Sequence, residues 1–332
     1  MTIVDGVRLL SNSEVQTFKD CPRKWWLAWH RGLTPKRESP VGAAATGSRY
    51  HAAVAELYVP DGQTPGDPLT KLDELHREAL AALPDRVEDG WGALGDKLTD
   101  NDQHAKLLKA FDLERAMVEG YLQWLEQTGA DAQLEVIAAE TYVEANFFQI
   151  SGQPRVKLIG KLDARVRNRV TGGIRFIDHK TVGSLFDPML KLNQQMLHYH
   201  LIEDLTREPG TARAEGALYS MARKVKRTRA STPPYFAREP IPHNDLELQN
   251  YAQQLRGMIA KMVQAENELA TGTVHQYAVP SRPSRDCAWK CSFFKICHMF
   301  DDGSRVEAAV ENLYEVRDPL SYYGGREKGS DD

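Results

Sequence analysis

The sequence predicts an α/β protein in which helices flank a central sheet, and three observations lead to this class. Apolar residues recur at helical spacing up to about residue 130. Between about residues 133 and 180 they alternate with polar residues, which predicts successive strands. A helix, a further strand, a long helix and a cysteine-bearing end follow. With 332 residues, of which 42% are hydrophobic, the chain is long enough to bury a sizeable core.

The first predicted helix begins at a capping sequence and is interrupted by a proline. The stretch "SNSE", Ser11–Glu14, has the pattern of a capping box. Val15, Phe18, Trp25 and Trp29 then follow at helical spacing. Because Pro22 lacks a backbone N–H and clashes with the preceding turn, we expect it to break or kink this helix just after Cys21.

The remaining elements follow the same two periodicities. Further helices are predicted at 43–58, 67–83, 101–128, 188–206 and 244–271. The predicted strands are "QLEVIAAETYVEANFF", "RVKLIGKLDARVRN", "GIRFIDHK" and "EGALYSMA". The acidic, Gly-containing tail "GGREKGSDD" is expected to be disordered.

Charge and hydropathy limit the function classes. The longest apolar runs are far shorter than a membrane span, and the N-terminal residues lack the pattern of a secretory leader, so we expect a cytoplasmic protein. The net charge of −4 excludes a general positive field, so any contact with nucleic acid must come from a local patch. The run "RKVKRTR", Arg223–Arg229, is such a patch, although a solvated loop explains it equally well.

One strand carries both a carboxylate and an amine. In "FIDHKT", Asp178 and Lys180 point to the same face because strand side chains alternate. If the segments on either side of "NRVTGG" pair as a hairpin, Asp163 lies beside them. Two carboxylates suit Mg²⁺ or Mn²⁺, and a lysine can orient or help deprotonate an attacking water. Taken alone, so short a motif is more often an ordinary salt bridge on an exposed face.

The order of four short motifs gives this strand a wider context. "GSRYH" at Gly47–His51, "GKLD" at Gly160–Asp163, "DHK" at Asp178–Lys180 and "QMLHY" at Gln195–Tyr199 together resemble the RecB-like branch of the PD-(D/E)XK nuclease superfamily. The resemblance implies a restriction-endonuclease-like α+β fold with a central mixed sheet. It extends from Ser11 to Cys297.

The resemblance also implies a role for each matching residue. His51, Asp163, Asp178 and the main-chain carbonyl of His179 would hold Mn²⁺ or Mg²⁺, and Lys180 would be catalytic together with the two aspartates. Gln195 and Tyr199 would help bind DNA, and a spacing of four residues places both on one helix face. To the DNA-binding set we add the basic residues of the run described above: Arg223, Lys224, Lys226, Arg227 and Arg229.

The four cysteines form one possible ligand set. Cys287, Cys291 and Cys297 give the spacing Cys-x3-Cys-x5-Cys, and Cys21 lies alone near the N-terminus. Four thiolates can complete a tetrahedral zinc site or a [4Fe–4S] cluster. Disulfide bonds are the alternative interpretation of these cysteines, and a cytoplasmic location would disfavour them.

The split cysteine pattern resembles the iron–sulfur nucleases of the superfamily. These include AddB-type helicase-nuclease subunits, CRISPR-adaptation exonucleases and their phage relatives, in which the cluster ties the chain ends around the nuclease core. The first C-terminal interval has three residues here, whereas two is the commoner form in the family. Zinc therefore stays open as an alternative.

The resemblance suggests how the chain is organised. Residues 1–300 would form the nuclease domain, with Cys21 and residues 287–297 as its cluster-binding region. Residues 66–130 match no motif and are interpreted as a helical insertion that narrows the DNA path. Residues 301–332 would form a C-terminal extension with a disordered end.

Two functions remain in contention. The first is a metal-dependent DNA exonuclease that acts on single strands or DNA ends, with 5′ to 3′ digestion weakly preferred. The second is a non-cleaving DNA-binding or adaptor subunit that works with a recombination or CRISPR-adaptation partner. We favour the enzyme because His51, Asp163, Asp178 and Lys180 are all present.

The aromatic and basic stretch "RKWWLAWHR" offers a possible single-strand contact. Its tryptophans could stack on bases while Arg23, Lys24 and Arg31 meet phosphates. The alternative, which we prefer for at least two of the three tryptophans, is that they are buried beneath the cluster.

Overall fold

The computed structural model describes residues 3–36, 39–83, 100–211 and 213–323. The strands are β1 (Ile3–Val4), β2 (Val7–Ser11), β3 (Leu33–Pro35), β4 (Leu134–Gln149), β5 (Arg155–Asn168), β6 (Ile174–Val182), β7 (Ala214–Arg223), β8 (Phe236–Pro242) and β9 (Tyr314–Val316). The helices are α1 (Asn12–Asp20), α2 (Pro22–Trp25), α3 (Ala43–Ala55), α4 (Pro68–Ala81), α5 (Asp100–Thr128), α6 (Gln194–Thr206), α7 (Asp245–Ala270), α8 (Cys287–Lys290), α9 (Phe294–Cys297) and α10 (Val306–Leu313). The predicted disordered tail, residues 324–332, lies outside the described residues.

The main sheet is mixed, as the fold class predicted. Its strands run in the order β1-β2-β5-β6-β7-β8, and β4 also pairs with β5. β2 is parallel to β5 and β6 is parallel to β7, while β4–β5, β5–β6 and β7–β8 are antiparallel. Helices lie against this sheet, so the predicted α/β (α+β) class is confirmed.

The sheet forks along β5. β4 occupies one edge of β5 over residues 155–168. The other edge pairs with β2 at residues 155–159 and with β6 at residues 164–167. Residues 160–163, the "GKLD" motif, therefore span the gap where β5 leaves β2 and joins β6.

The two sides of β6 pack against different helices, because successive side chains in a strand point to opposite faces. Phe176 packs in a core with Met196 of α6. Ile177, the next residue, packs in a core with Tyr58, which follows α3. The strand that carries Asp178 and Lys180 is thus covered on both faces.

The N-terminal helices were largely predicted. Ser11 caps α1 by accepting the backbone N–H of Glu14 at 3.2 Å, and Pro22 begins the separate helix α2. The capping box is only half made, because the Glu14 carboxylate instead accepts Trp25 Nε1 at 3.0 Å. Residues 26–30 then form a π-helical turn.

Several short strands escaped the sequence analysis. β2 is a five-residue strand with no surrounding alternation, and β8 contains Pro240 and Pro242, which count against a strand. β8 tolerates them because it lies at the edge of the sheet. β3 and β9 join segments far apart in the sequence, which no local pattern reveals.

The predicted insertion packs on the sheet side of α3. Tyr50 and Val54 of α3, Leu72 of α4, and Val118 and Tyr121 of α5 share one buried cluster. None of the helices in the described ranges has the length and hydropathy that a bilayer span requires.

Candidate active site

The fork in the sheet brings the predicted acidic residues together. The β5–β6 pairing ends with Ala164 opposite Ile177, so Asp163 and Asp178 follow at the next position of the register. Beyond this pair the Asp163 side chain takes the place of a backbone acceptor between the two strands, because its Oδ2 accepts the backbone N–H of His179 at 2.9 Å. The hairpin expected from "NRVTGG" is confirmed.

Asp163 also contacts the predicted histidine of α3. Asp163 Oδ2 lies 3.4 Å from His51 Nδ1. Burial acts to raise the pKa of Asp163, but His51 and the His179 N–H outweigh it and hold this pKa below its usual value. Asp163 is therefore an ionised carboxylate at neutral pH.

Asp178 is in a different electrostatic state. Burial, helped by the Asp163 charge and partly offset by Lys180, raises its pKa to about 6. Its Oδ2 lies 2.8 Å from Lys180 Nζ, but this buried oxygen accepts no hydrogen bond of good geometry from any described residue. A buried carboxylate oxygen is thus left with an ion-pair neighbour and spare acceptor capacity.

Lys180 is held between Asp178 and helix α6. Its Nζ donates to Gln195 Oε1 at 3.1 Å, and Gln195 Nε2 donates to Tyr199 Oη at 3.1 Å. The structure therefore brings the "QMLHY" pair to the predicted catalytic lysine.

Gly160 explains how Tyr199 approaches the sheet. A Cβ at this position would lie 2.5 Å from a ring carbon of Tyr199, so only glycine fits under the ring. The first residue of "GKLD" and the last residue of "QMLHY" are therefore in direct contact.

His179 points away from the carboxylates, into an aromatic pocket. Burial lowers the pKa of its imidazole to about 3, so the ring is neutral, and among the described residues neither ring nitrogen has a hydrogen-bond partner. Its ring centroid lies 5.0 Å from that of Tyr58 and 6.0 Å from that of Tyr121. Because Tyr121 belongs to α5, the insertion lies directly behind the acidic strand.

A polar network that no motif indicated supports this pocket. Arg238 Nη2 donates to the hydroxyls of Tyr58 and Tyr121, at 2.7 and 2.8 Å, and pairs with Asp131 Oδ1 at 2.7 Å. The two hydroxyls are 2.6 Å apart. These residues come from three distant segments, because Tyr121 and Asp131 lie close together in the sequence, and sequence spacing carries no signal for the network.

The cysteines lie where the two chain ends meet. All four are free and half-buried. Burial raises the pKa of Cys291, and the nearby Cys287 and Cys21 thiols raise it further against Lys24 and the Phe293 N–H. Burial likewise raises the pKa of Cys297, which Cys21 and Cys291 also influence. Cys21 Sγ also accepts the backbone N–H of Arg282 at 3.4 Å, so the N-terminal cysteine lies against the segment that precedes Cys287.

Two arginines of "RKWWLAWHR", for which one hypothesis proposed contacts with DNA phosphates, bind carboxylates of the protein itself. Arg23 is buried and binds the Asp301 carboxylate through two hydrogen bonds of 2.7 and 2.8 Å. Arg31 pairs with Glu307 at 2.7 Å. The hypothesis that these side chains meet phosphates is wrong for both arginines, because the C-terminal segment supplies their counter-ions. Trp25 and Trp26 are buried and Trp29 is half-buried, so the burial predicted for at least two of the three tryptophans is confirmed. Their position beneath a cluster stays a prediction.

The basic run Arg223–Arg229 divides into engaged and free side chains. Arg227 donates to Gln123 at 3.1 Å and lies over the Tyr235 ring, and Lys226 pairs with Asp112 at 3.1 Å. Arg223 donates to the main-chain oxygens of Thr232 and Pro234. Among the described residues, Lys224 and Arg229 have no side-chain hydrogen bond or ion pair.

Comparison with known proteins identifies the family. A family model of the PD-(D/E)XK nuclease superfamily matches residues 9–298. The chain therefore belongs to the PD-(D/E)XK nuclease superfamily, which implies a nuclease that hydrolyses nucleic acid. The match includes every motif residue from His51 to Cys297.

The other comparisons add little. A search of curated proteins finds no match. A solved structure described as "Crystal structure of SSO0001" aligns over 78% of this chain and 78% of its own, with 13% identity and a TM-score of 0.29. A superposition this loose supports no conclusion.

Members of this superfamily typically use Mg²⁺ or Mn²⁺. In the described parts of the chain, no group of three or more His, Cys, Asp or Glu side chains is already arranged to hold a metal ion. The donor chemistry at the fork nevertheless fits a divalent cation, because it combines two carboxylates with an imidazole and leaves Asp178 Oδ2 with spare acceptor capacity. The four free thiols likewise match in type the ligands of zinc or an iron–sulfur cluster.

Proposed function

We propose that the protein is a metal-dependent DNA exonuclease that acts on single strands or DNA ends, with 5′ to 3′ digestion preferred. The observation that carries this proposal is the position of Lys180, which lies between the buried Asp178 carboxylate and Gln195 at the fork in the sheet. An isolated surface salt bridge would need neither the burial of Asp178 nor the contact with α6.

Each residue at the fork has a chemical role in this proposal. Asp163, Asp178, His51 and the His179 carbonyl would hold Mn²⁺ or Mg²⁺, which supplies positive charge to the phosphate and lowers the pKa of an attacking water. Lys180, oriented by Asp178 and Gln195, positions that water and offsets charge that develops on the phosphate. The water oxygen forms a bond to phosphorus and gives up a proton to solvent, while the bond to the leaving oxygen breaks and that oxygen takes up a proton from solvent.

The histidine bears on the choice of metal. Imidazole is a better ligand for Mn²⁺ than for Mg²⁺, because Mn²⁺ accepts nitrogen donors more readily. His51 should therefore bias the site toward Mn²⁺. The His51→Ala variant should lose most of its activity at low Mn²⁺ and recover part of it as Mn²⁺ is raised.

The test is incubation with end-labelled single-stranded and double-stranded DNA in Mn²⁺ or Mg²⁺. We expect wild-type protein to release labelled products and Lys180→Ala to leave the DNA intact while still binding it. Lys71→Ala is the matched control, because Lys71 forms a surface pair with Glu74 on α4. Intact DNA in every wild-type reaction, together with tight DNA binding, would favour the adaptor function instead.

We further propose that Cys21, Cys287, Cys291 and Cys297 hold a structural [4Fe–4S] cluster, as in the RecB-like iron–sulfur branch. Support comes from the meeting of chain ends, where Arg23 of α2 donates to the main-chain oxygens of Val279 and Cys297. In this proposal residues 1–300 form the nuclease domain, with 66–130 as its insertion. Residues 301–323 then reinforce the same junction through β9 and α10.

Metal analysis tests the cluster. Protein purified without oxygen should be brown and contain about four iron and four sulfide per chain. Cys21→Ser and Cys291→Ser should each bleach the colour and lower solubility or the melting temperature, since the ligands join distant parts of the chain. One zinc per chain without iron would support the alternative centre, and unchanged colour and melting in either variant would contradict a shared site.

A further inference from the structure

The loop that joins β6 to α6, residues 183–193, carries an exposed apolar surface beside the candidate active site. Three large apolar side chains on it are mostly in solvent: Phe186 is 81% exposed, Met189 60% and Leu192 67%. Met189 precedes a 3₁₀ turn of which Leu192 is the last residue, and the three-residue period of this turn places the two on the same side. A cluster of large apolar side chains in water is typical of a binding surface.

Local hydrogen bonds and one buried residue support the backbone of this loop. The backbone N–H of Phe186 donates to Ser184 Oγ at 3.2 Å, and that of Met189 donates to Asp187 Oδ1 at 2.9 Å. Leu190 is buried and anchors the loop to the core beneath it. The exposed residues therefore do not share the core that Leu190 enters.

The loop is flanked in the sequence by the proposed catalytic lysine and by the residue that accepts its hydrogen bond. Lys180 lies just before it on β6, and Gln195, which accepts the Lys180 ammonium hydrogen bond at 3.1 Å, lies just after it on α6. A DNA strand bound at the fork would therefore have nucleotides next to this loop.

Basic residues follow β7 at the same end of the sheet as this loop. β6 and β7 are parallel with Val182 opposite Arg223, and the backbone N–H of Lys224 donates to Val182 O at 2.8 Å. Lys224 and Arg229 have no side-chain ionic partner among the described residues, and Lys191 is exposed within the loop itself. Apolar and cationic side chains therefore lie together at this end of β6 and β7.

We propose that this loop is a base-stacking platform that receives unpaired nucleotides next to the scissile phosphate, with Phe186 as the main stacking side chain. Unpaired bases expose apolar faces that stack on aromatic side chains while cations meet the phosphates. A duplex hides those faces inside its own stack. The inference rests on the proposed nuclease function and assigns its single-strand preference to one loop.

The test measures binding of the full chain to labelled oligothymidylate, to an abasic oligomer of equal length and to a blunt duplex, without divalent metal. Wild-type protein should prefer oligothymidylate over the abasic oligomer by about tenfold, the scale of one stacked base. Phe186→Ala should abolish that preference and leave duplex binding unchanged. Val170→Ala is the matched control, because Val170 is 74% exposed in the β5–β6 turn at the other end of β6.

Two further measurements separate the outcomes. With Mn²⁺ present, Phe186→Ala should lose single-strand cleavage through a higher KM and keep its rate at saturating DNA. Lys191→Ala should weaken binding of both oligomers equally.

If wild-type protein cuts DNA but does not distinguish the abasic oligomer, or if Phe186→Ala keeps the preference, the inference fails and the proposed function stands. If Phe186→Ala instead changes only the oligomeric state, the loop is an interface between copies. If wild-type protein neither binds nor cuts DNA, both proposals fail.

Discussion

Two buried carboxylates in this protein have opposite surroundings. The side chains of Glu114 on α5 and Asp178 on β6 are 0% and 4% exposed. Glu114 accepts hydrogen bonds from Thr46 at 2.8 Å and from Arg49 at 2.7 and 2.8 Å, and it contacts His76 Nε2 at 2.9 Å. Asp178 Oδ2 lies 2.8 Å from Lys180 Nζ, but within the described part of the chain it accepts no hydrogen bond of good geometry.

The pKa values follow this difference. Burial alone would raise the pKa of Glu114, but His76, Arg49 and Thr46 lower it below its usual value. Burial raises the pKa of Asp178 to about 6, and Lys180 compensates only in part. The protein can thus satisfy a buried carboxylate completely, as it does where α3, α4 and α5 meet. The acceptor capacity left at Asp178 is what a cation-binding site requires.

The largest expected effect separates activity from stability at Asp178. Asp178→Asn should reduce the nuclease rate to background, because the neutral amide is a far weaker ligand for a hard cation. The same change should raise the metal-free unfolding free energy by about 1–3 kcal/mol, since it removes a poorly compensated buried charge. Urea unfolding and the nuclease assay on one preparation measure both. A variant that is inactive because it is unfolded would contradict the comparison.

Glu114 should respond in the opposite direction. Glu114→Gln leaves the buried Arg49 guanidinium without its counter-ion, so we expect a loss of about 3–5 kcal/mol in unfolding free energy. Glu119→Gln on the same helix is the control, because Glu119 forms only an exposed pair with Arg115 at 3.7 Å and should cost under about 1 kcal/mol. Equal losses in the two variants would mean that the Glu114 cluster does not stabilise the insertion.

The pH dependence distinguishes the two carboxylates more finely. The folded pKa of Asp178 is raised, so its ionised form destabilises the metal-free fold above about pH 6, and this penalty disappears as the pH falls toward the ordinary value of 3.8. The advantage of Asp178→Asn should therefore shrink on acidification over that window. The folded pKa of Glu114 is lowered, so its stabilisation is present above its ordinary value of 4.5 and is lost below it. Urea unfolding from pH 7 to pH 4 would contradict the Asp178 assignment if the Asp178→Asn difference stayed constant. It would contradict the Glu114 assignment if the Glu114→Gln difference already fell above pH 4.5.

The smallest expected effect concerns DNA binding, where basic side chains with and without protein partners can be compared. Replacing Lys224 and Arg229, which have no side-chain partner among the described residues, should lower the salt slope of DNA binding by about two if each contacts one phosphate. Replacing Arg223 and Arg227, which have protein partners, should lower it less. A titration of DNA affinity against salt measures both. An unchanged slope in both pairs would show that Arg223–Arg229 is only a solvated loop.

Local patterns in the sequence predicted much of the site. Strand alternation placed Asp178 and Lys180 on one face, and the turn before β6 brought Asp163 beside them. Helical spacing paired Gln195 with Tyr199, and the structure adds their contact with Lys180. These relations depend on neighbours in the chain, which is why they could be inferred.

Long-range relations could not be inferred in the same way. The Arg238 network and the Glu114 cluster join single residues from distant segments, with no fixed spacing. The counter-ions of Arg23 and Arg31 lie far along the chain, so the stretch around them resembled a DNA contact. Burial and partner choice of this kind are set by tertiary packing.

The most direct test of the central claim is a titration of Mn²⁺ binding to metal-free wild-type protein and to the Asp163→Asn, Asp178→Asn, Lys180→Ala and Glu114→Gln variants. If the fork in the sheet is a metal site, both aspartate variants lose tight Mn²⁺ binding. Lys180→Ala and folded Glu114→Gln protein keep it, and only Lys180→Ala among these two loses cleavage. Wild-type Mn²⁺ affinity in Asp178→Asn, or wild-type cleavage in Lys180→Ala, would contradict the account and make the Asp178–Lys180 pair an ordinary salt bridge.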